Sequence, residues 1–532
     1  MMQQHEQRAD VTAPLSDTAS ARARWLALTA ALLGWMFDGA EMGLFSMVGR
    51  PAIKDLLATS DDAEIGVWFG IITAGFLVGA ATGGVLFGWL GDRVGRVRAM
   101  TLSVLTYAVF TGLCGGATSA WQVGALRFIS ALGMGGEWSL GVALVMEVWP
   151  NRSRAFMAGL IGASANVGYL LVGFVGLALA AVLSQMAGWL LGLGLPESLV
   201  DRLVANSGWR LMMITGTIPA LLTFFIRIFV PESERWRREE SRGATVHWAS
   251  VDLLGVVFGL AGPALIVYLW APRGSDQVPW TLTQQVIGTL IGLAIVTVGF
   301  SYPLVRYLQR QAETVGAQQP WPPTLRRMLM GAVLSGVALL GTWGSTQWAP
   351  SWADKLTDSA TTAGVIGHAR EYTQIALAAG AIVGTIAAAL VGGWLGRRVT
   401  YFFLCLLSLA SVYVLFLTNH AYGWPMLFWA SIAGATTAAF YGWLPLYLPE
   451  LFRTNVRATG QGFGFNFGRI LAAIGVLQTG NLMNQFQDGF SIVGVSLPAG
   501  YASACSVMSL IYLVGAVFIW FCPETKGKPL PE

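Results

Sequence analysis

The feature that most constrains this chain is a long series of apolar stretches, each about as long as a bilayer is thick. A helix needs about 20 apolar residues to cross the hydrocarbon core of a membrane. Only 11% of the 532 residues are charged and 55% are hydrophobic, whereas soluble domains carry about 25% charged residues. We therefore predict an all-α integral membrane protein. The fourteen predicted spans are 24–48, 65–90, 98–117, 122–147, 155–183, 209–230, 249–271, 283–307, 326–350, 370–395, 400–418, 424–448, 458–482 and 500–522.

The loop arginines predict how the spans are oriented. They cluster after the even-numbered spans, with Arg202 and Arg210 as exceptions, and loops rich in Lys and Arg face the cytoplasm. The first residues, MMQQHEQRAD, lack the apolar core of a cleavable signal peptide. We therefore expect both chain termini in the cytoplasm and the spans in a cell membrane, which in a bacterium is the inner membrane.

Composition and motif content argue against several classes of protein. The four cysteines have no CxxC spacing and the four histidines fall in or near predicted loops, so we expect no metal site and no cofactor. No GxxxxGK[ST] loop for ATP and no constellation typical of an enzyme nucleophile is present. The net charge of +4 lies mostly in short loops, which argues against nucleic-acid binding. We expect the protein to be a monomer in contact with lipid, and we do not expect it to be an enzyme.

Three motifs occur twice in the same order. GWLGDR at 88–93 recurs as GWLGRR at 393–398, EVWPNRSRAFMAG at 147–159 as ELFRTNVRATGQG at 450–462, and PESERW at 231–236 as PETKGK at 523–528. Two six-helix halves with two inserted helices explain this pattern, and such repeats are typical of secondary transporters that bind substrate between the halves. The predicted units are a cytoplasmic tail 1–23, a six-helix bundle 24–236, a linker with two additional helices 237–325, a second bundle 326–522 and a cytoplasmic tail 523–532.

The segment GWLGDRVGRVR at 88–98 resembles the signature loop of the major facilitator superfamily. Glycines in this loop let helix ends turn and approach closely, and the resemblance implies that its charges hold the two halves together in one access state. In the second half Arg397 aligns with Asp92, so we expect a weaker latch there. The predicted latch residues are Gly88, Asp92, Arg93, Gly95, Arg96, Glu147, Arg154, Glu450 and Arg457.

Two further motifs resemble those of proton symporters for organic acids. They are Asp38-Gly39-Ala40-Glu41, with Glu where many members have Asp, and RFISALGMGGE at 127–137, with Ala131 where a glycine often falls. The two additional central helices resemble those of the sialic acid porter branch, whose relatives include lactate and pyruvate porters. The resemblance implies the major facilitator fold and proton-coupled uptake of a carboxylate-bearing metabolite.

The intramembrane acids are the predicted proton-coupling residues. At 1.5 Å per residue, Asp38 and Arg127 both lie about 20 Å from the cytoplasmic side. We therefore predict that they pair and that Asp38 exchanges the proton, with a static buried pair as the alternative. Glu41, one turn further out, is a second proton site or contacts a substrate amine or hydroxyl. Glu137, close to the midplane, is part of a proton relay or a structural residue.

Arg469 is the predicted substrate anchor. It lies about 16 Å deep in its span, where an arginine marks a pathway or an anion site, and its planar fork matches a carboxylate bidentately. The alternative is that it pairs with one of the buried acids. Polar and aromatic residues predicted to complete the site are Asn166, Tyr169, Gln347, Trp348, Tyr441 and Asn466, although Tyr and Trp also form interfacial belts.

The leading prediction is a secondary active transporter that couples proton entry to the uptake of sialic acid by alternating access. A lactate or pyruvate type of monocarboxylate:proton symporter is the second. Three further hypotheses are a facilitator for neutral sugars, which leaves Arg469 without a role, an efflux system driven by proton antiport, and a transporter-like sensor. The expected partners are a small organic acid, protons and the lipid bilayer.

Overall fold

The computed structural model describes residues 21–150, 152–271, 280–315, 320–358, 368–486, 489–492, 495–497 and 499–531. Nearly all of the predicted N-terminal tail, residues 1–20, therefore lies outside the described residues. Residues 272–279 and 316–319 of the predicted linker also lie outside them.

The chain forms two helical halves joined by a helical linker. The first half contains α1 (Ala21–Leu57), α2 (Asp62–Val94), α3 (Arg96–Cys114), α4 (Ala120–Val148), α5 (Arg154–Gly192), α6 (Glu197–Thr215), α7 (Ala220–Phe229) and α8 (Glu234–Ser241). The linker contains α9 (Leu253–Gly259), α10 (Ala261–Trp270) and α11 (Leu282–Val315). The second half contains α12 (Trp321–Gly344), α13 (Ala349–Asp358), α14 (Ala369–Leu395), α15 (Arg397–Thr418), α16 (Trp424–Thr437), α17 (Phe440–Tyr447), α18 (Arg457–Asn466), α19 (Gly468–Gln485), α20 (Tyr501–Ser509) and α21 (Ile511–Phe518).

The predicted all-α class is confirmed, with one small addition. A two-stranded antiparallel ribbon, β1 (Phe490–Ile492) and β2 (Val495–Leu497), connects α19 to α20. Within the described residues, ten helical stretches are long and apolar enough to cross a membrane by length and composition. Several other predicted spans are interrupted helices, such as α16–α17 and α18–α19, so the count of fourteen stays a prediction. The break between α18 and α19 falls at Phe467, two residues before Arg469.

The two halves meet at two interfaces. At the first interface α2 packs on α18 and α19, and at the second α5 packs on α14 and α17. The linker helices α10 and α11 lie beside the first interface and contact both α2 and the second half. Gln478 of α19 donates a hydrogen bond to the carbonyl oxygen of Trp270 in α10 at 2.9 Å. The residues that line the space between the halves come from α1, α2, α4 and α5 of the first half and from α12, α14, α17 and α19, among other helices, of the second.

Close helix contacts in the first half depend on glycine. A Cβ atom added to Gly83 of α2 would lie 1.9 Å from the carbonyl oxygen of Leu132 in α4. The reverse contact is equally tight, because a Cβ on Gly135 of α4 would lie 1.9 Å from the carbonyl oxygen of Ala80. Small residues at a helix crossing let backbones approach in this way. The crossing fixes the depth of α4, which carries Arg127 and Glu137.

The variant Gly83→Ala tests this crossing. We expect it to destabilise the protein by about 1–3 kcal/mol, because the added methyl group has to push α2 and α4 apart. Gly75→Ala on the same helix is the matched control, since a Cβ there meets nothing within 4 Å and alanine favours helix over glycine. Thermal unfolding in detergent measures both. Equal melting temperatures for the two variants would contradict the crossing as described.

Candidate functional site

A cavity lies between the two halves. It holds about 1740 Å³ of space, including its mouth, and extends from Arg469 and Tyr441 to Arg50 and Arg370. Arg50 lies in the last part of α1 and Arg370 at the start of α14. The cavity therefore opens at the end of the molecule where α1 ends. Much of its wall is aromatic and is formed by Trp35, Phe45, Phe69, Phe76, Tyr169, Trp343, Trp348, Tyr441, Phe465 and Tyr501.

Six of the seven predicted substrate-binding residues line this cavity. They are Asn166, Tyr169, Gln347, Trp348, Tyr441 and Arg469. The cavity wall also joins the halves, because the Gln347 amide donates to Ser46 Oγ of α1 at 3.3 Å.

Asn466 differs from its prediction and lies outside the cavity wall. It is fully buried and donates from Nδ2 to the carbonyl oxygens of Gly135 at 3.0 Å and Gly462 at 3.2 Å. A Cβ added to Gly84 of α2 would lie 2.3 Å from its Nδ2 atom. Asn466 therefore holds α18 against α2 and α4. The sequence places Asn466 only three residues from Arg469, but the helix is interrupted at Phe467 between them.

Arg469 is the buried cation of the cavity. Its side chain is 6% exposed, and Nε and Nη1 donate to no atom of the part of the chain that the structure describes. Among the described residues no carboxylate lies within 4 Å of it, and its guanidinium carbon lies 5.6 Å from the centre of the Phe465 ring. Asp38, Glu41, Tyr169 and Tyr441 surround it at longer electrostatic range. A buried guanidinium with free donors is unfavourable unless a ligand or water in the cavity meets it.

Asp38 and Glu137 form a buried pair of acids. Neither oxygen of Glu137 accepts a hydrogen bond from a donor among the described residues, and Oδ1 of Asp38 accepts none either. The two carboxyl groups are close enough to repel each other when both are ionised, although no hydrogen bond joins them in the structure. Two ionised carboxylates buried side by side are strongly unfavourable, so a proton on one of them stabilises the pair. Glu137 also lies against Gly34, where an added Cβ would overlap its carboxyl group.

Arg127 pairs with Glu41 instead of the predicted Asp38. Its Nη1 atom donates to Glu41 Oε1 at 2.5 Å, and the same oxygen accepts from the hydroxyl groups of Thr111 at 3.0 Å and Ser130 at 3.4 Å. These hydroxyl groups make the site of Glu41 polar, whereas the shorter side chain of Asp38 turns toward Glu137. Depth in the membrane could not determine whether Asp38 or Glu41 pairs with Arg127, because the two acids are only one helical turn apart.

The proton-coupling candidates and the substrate candidates form two adjoining layers. Asp38, Glu41 and Glu137 are buried in the first half and are not among the residues that line the cavity. Arg127 belongs to both layers, since it bonds to Glu41 and also lines the cavity. Arg127 therefore connects the layer of acids directly to the cavity wall.

The predicted latch joins the halves at the end opposite the cavity mouth. Asp92 at the end of α2 accepts hydrogen bonds from the first residues of α18, namely Ala458 N at 3.2 Å, Thr459 N at 2.8 Å and Thr459 Oγ1 at 2.7 Å. A carboxylate is favoured there because backbone N–H groups at a helix start carry partial positive charge. Gly88 permits the approach, since an added Cβ would lie 2.7 Å from the carbonyl oxygen of Ala458.

A second cross-half contact uses Glu147. Its Oε1 atom accepts from Arg457 of the second half at 2.8 Å and from Arg96 at 3.1 Å, and its Oε2 atom accepts from Ser233 at 2.5 Å. Arg96 also pairs with Asp92 at 2.9 Å. Each of these charges is buried and met by several partners, as a buried ion pair requires.

Arg93 and Arg154 do not form cross-half bonds of this kind. Arg93 donates to Ser250 of the linker at 2.5 Å. Nε of Arg154 is buried without a partner in the described part of the chain.

The second half contains an equivalent arginine–glutamate pair. Among the described residues, the hydrogen bonds to its glutamate come from within that half. Arg397 pairs with Glu450, with Nη2 to Oε1 at 2.5 Å. Gly396 before it has a φ of 105° and Gly95 before Arg96 has a φ of 110°, a conformation that favours glycine. Arg397 is thus the counterpart of Arg96, and not of Asp92 as the motif alignment predicted. The counterpart of Asp92 is then Gly393, so the second half lacks the carboxylate that caps the facing helix.

Glu232 and Glu524 cap two helix starts beside the latch, and the sequence analysis did not single them out. Glu232 accepts from the N–H groups of Arg96 and Val97, both at 3.0 Å, and Glu524 accepts from those of Arg397 and Arg398, both at 3.1 Å. Burial raises the pKa of each carboxyl group and the backbone N–H groups lower it. Burial prevails at Glu232, whose pKa is raised, whereas the N–H groups prevail at Glu524, whose pKa is lowered. The PES and PET repeats could have identified both residues.

This fold and this cavity define a secondary transporter of the major facilitator type. The family model described as "Sugar (and other) transporter" matches residues 26–245 and 341–532, more than half of the chain, and the chain belongs to that family. The range left between the two matched segments includes α9, α10 and α11.

Relatives and solved structures give the same class. The cis,cis-muconate transport protein of Acinetobacter baylyi is 25% identical over 508 residues, with 95% of each chain covered. A sialic acid transporter of Escherichia coli is 31% identical over 210 residues, which cover 40% of this chain and 44% of that protein. The proton:xylose symporter XylE of E. coli has a TM-score of 0.62 at 17% identity, with 96% of this chain and 98% of that chain covered, and confirms the fold.

The variant Asp92→Asn tests the latch. We expect it to favour the state open at the latch end by about tenfold, because charge-assisted hydrogen bonds to α18 weaken. Spin labels at the exposed positions Arg98 and Lys526 report the distance between the halves there. The exposed Glu313→Gln is the matched control. A distance distribution like that of the wild type would show that Asp92 does not hold the halves together.

Proposed function

We propose that this chain is a proton-coupled symporter that takes up a carboxylate-bearing metabolite by alternating access. The observation that carries the proposal is Arg469, a buried guanidinium on the cavity wall with unbonded N–H donors. A carboxylate accepts two parallel hydrogen bonds from such a fork. A neutral sugar offers this fork no charged acceptor.

Sialic acid remains the first substrate to test, and lactate the second. The sequence motifs and the partial similarity to a sialic acid transporter support sialic acid, while the longer similarity to a muconate transport protein supports a carboxylate without favouring sialic acid. The carboxylate is the group that these candidates share. It is also the group that Arg469 is suited to hold.

The proton is carried by Asp38 and Glu137 in this proposal. The facing carboxyl groups share one proton when the cavity is empty, which gives the pair a net charge of about −1 and balances Arg469. Binding of a carboxylate adds one negative charge. A second proton on the acid pair restores neutrality, and a neutral centre is the one that closes most readily in a low-dielectric bundle. The charge balance therefore favours one proton per monocarboxylate.

The conformational change that moves the substrate is inferred from the difference between the two ends of the molecule. The cavity is open where α1 ends, and the Asp92 and Glu147 contacts close the opposite end. Release on the cytoplasmic side requires these contacts to break while the walls near Arg50 and Arg370 come together. Rocking of two rigid halves around a central site is the usual way in which such a repeat transports its substrate.

Uptake into proteoliposomes tests the proposal. Labelled sialic acid, lactate and cis,cis-muconate are offered with and without an inward proton gradient, to the wild type and to Asp38→Asn. We expect gradient-driven accumulation of at least one acid by the wild type and its loss in Asp38→Asn, with exchange across equal concentrations retained. If no acid moves under any gradient, the symport proposal is wrong.

The variant Arg469→Lys tests the substrate anchor separately. We expect its dissociation constant for the transported acid to rise by about tenfold or more, because an ammonium group loses the bidentate fork. Arg306→Lys, at an exposed position outside the cavity, is the matched control. Isothermal titration in detergent measures both. Unchanged affinity in Arg469→Lys would leave Arg469 a structural residue.

A further inference from the structure

We infer that the cavity contains a second anion subsite at Arg127 and that its preferred substrates are dicarboxylates. The inference rests on the proposed function, since it assigns one carboxylate to Arg469 and adds a position for another. Arg127 lines the cavity although it also bonds to Glu41. A side chain that only neutralised Glu41 would not need to form part of the cavity wall.

Arg127 has donors to spare. Only Nη1 makes a hydrogen bond among the described residues, and it does so to a single oxygen of Glu41. Nε is buried and donates to no atom in the described chain. An arginine paired bidentately with a carboxylate uses two N–H groups in parallel. The one-point contact with Glu41 therefore leaves Nη2 without a partner among the described residues, on a cavity-lining side chain that is only 1% exposed, and Nη2 is the donor that can meet a second carboxylate.

Two aromatic rings hold the guanidinium group in place. Its central carbon lies 4.4 Å from the ring centre of Phe45 and 4.4 Å from that of Phe76. Stacking of this kind fixes the plane of an arginine and thereby the direction of its remaining N–H groups. Both rings also line the cavity. The two rings thus fix the position of the Arg127 guanidinium group in the absence of a ligand.

The two guanidinium groups belong to opposite halves. Arg127 lies on α4 of the first half and Arg469 on α19 of the second, and both line the same cavity. Both lie within electrostatic range of the Tyr169 hydroxyl group. A dicarboxylate bound to both arginines would bridge the halves, whereas a monocarboxylate on Arg469 would lack the second contact at Arg127.

A second carboxylate would compete with Glu41 for Arg127. Glu41 would not lose all of its partners, because the Thr111 and Ser130 hydroxyl groups lie beside the same oxygen and bond to each other at 2.7 Å. Removing the charge of Glu41 should therefore strengthen dicarboxylate binding. A purely structural role for the pair predicts the opposite, since breaking a buried ion pair destabilises a protein.

Matched acids test the inference on the wild-type protein. Dissociation constants are measured in detergent for linear dicarboxylates from succinate to suberate, each against the monocarboxylate of the same carbon number. We expect at least one dicarboxylate to bind about tenfold more tightly than its partner, as an additional charge-assisted hydrogen-bond pair implies. Equal affinities throughout the series would overturn the second subsite and leave the proposed function intact. If neither class binds, the proposed function itself fails.

Variants locate the second carboxylate. Glu41→Gln should strengthen binding of the selected dicarboxylate more than binding of the matched monocarboxylate. The double variant Glu41→Gln/Arg127→Gln, which leaves no unpaired charge, should lose the dicarboxylate advantage while monocarboxylate binding at Arg469 remains measurable. If the double variant retains the advantage, the second carboxylate binds elsewhere and the inference is wrong. Monocarboxylate binding also serves as the check that each variant is folded.

Discussion

An ionised side chain inside a bundle surrounded by hydrocarbon is stable only if other charges or hydrogen-bond donors meet it. The buried carboxylates at the latch satisfy that condition. Asp92 accepts three hydrogen bonds from the start of α18, and Glu147 is met by Arg96, Arg457 and Ser233. Arg469 does not satisfy it within the described residues. The contrast separates carboxylates that hold the structure from an arginine on the cavity wall that we propose to bind the substrate.

The repeat explains both the likeness and the inequality of the halves. Arg96 with Glu147 and Arg397 with Glu450 are equivalent pairs, each beside a glycine with positive φ. Yet Glu147 also reaches Arg457 across the interface, whereas the oxygens of Glu450 are held by Arg397 and Thr525 within its own half. Because the second half has Gly393 where the first has Asp92, closure at this end depends on α2 and α18 more than on their repeat partners.

The sequence predicted the class, the fold and much of the cavity wall, but not the partners of its charges. Arg469 could be recognised because an arginine near the middle of an apolar segment is costly to bury and marks a pathway or an anion site. Asp38 and Glu41 are one turn apart, and both could reach Arg127 by depth alone. The choice depends on the Thr111 and Ser130 hydroxyl groups from other helices, which no pattern along α1 reveals. Asn466 shows the same limit, since only the helix crossing determines that it faces Gly135.

In the proposed transport cycle, the distribution of charges between the halves couples the proton to the anion. The acids lie on α1 and α4 of the first half, while the free cation lies on α19 of the second, so their attraction depends on how the halves are placed. α1 can carry Asp38 close to its neighbours because it has Gly34 against Glu137 and Gly39 against the backbone of α5. When the halves rock, the distance between Arg469 and the acids has to change, and with it the free energy of holding a proton. A substrate carboxylate on Arg469 acts on the same balance. Proton and anion need not touch each other to be coupled, because both interact with one guanidinium group.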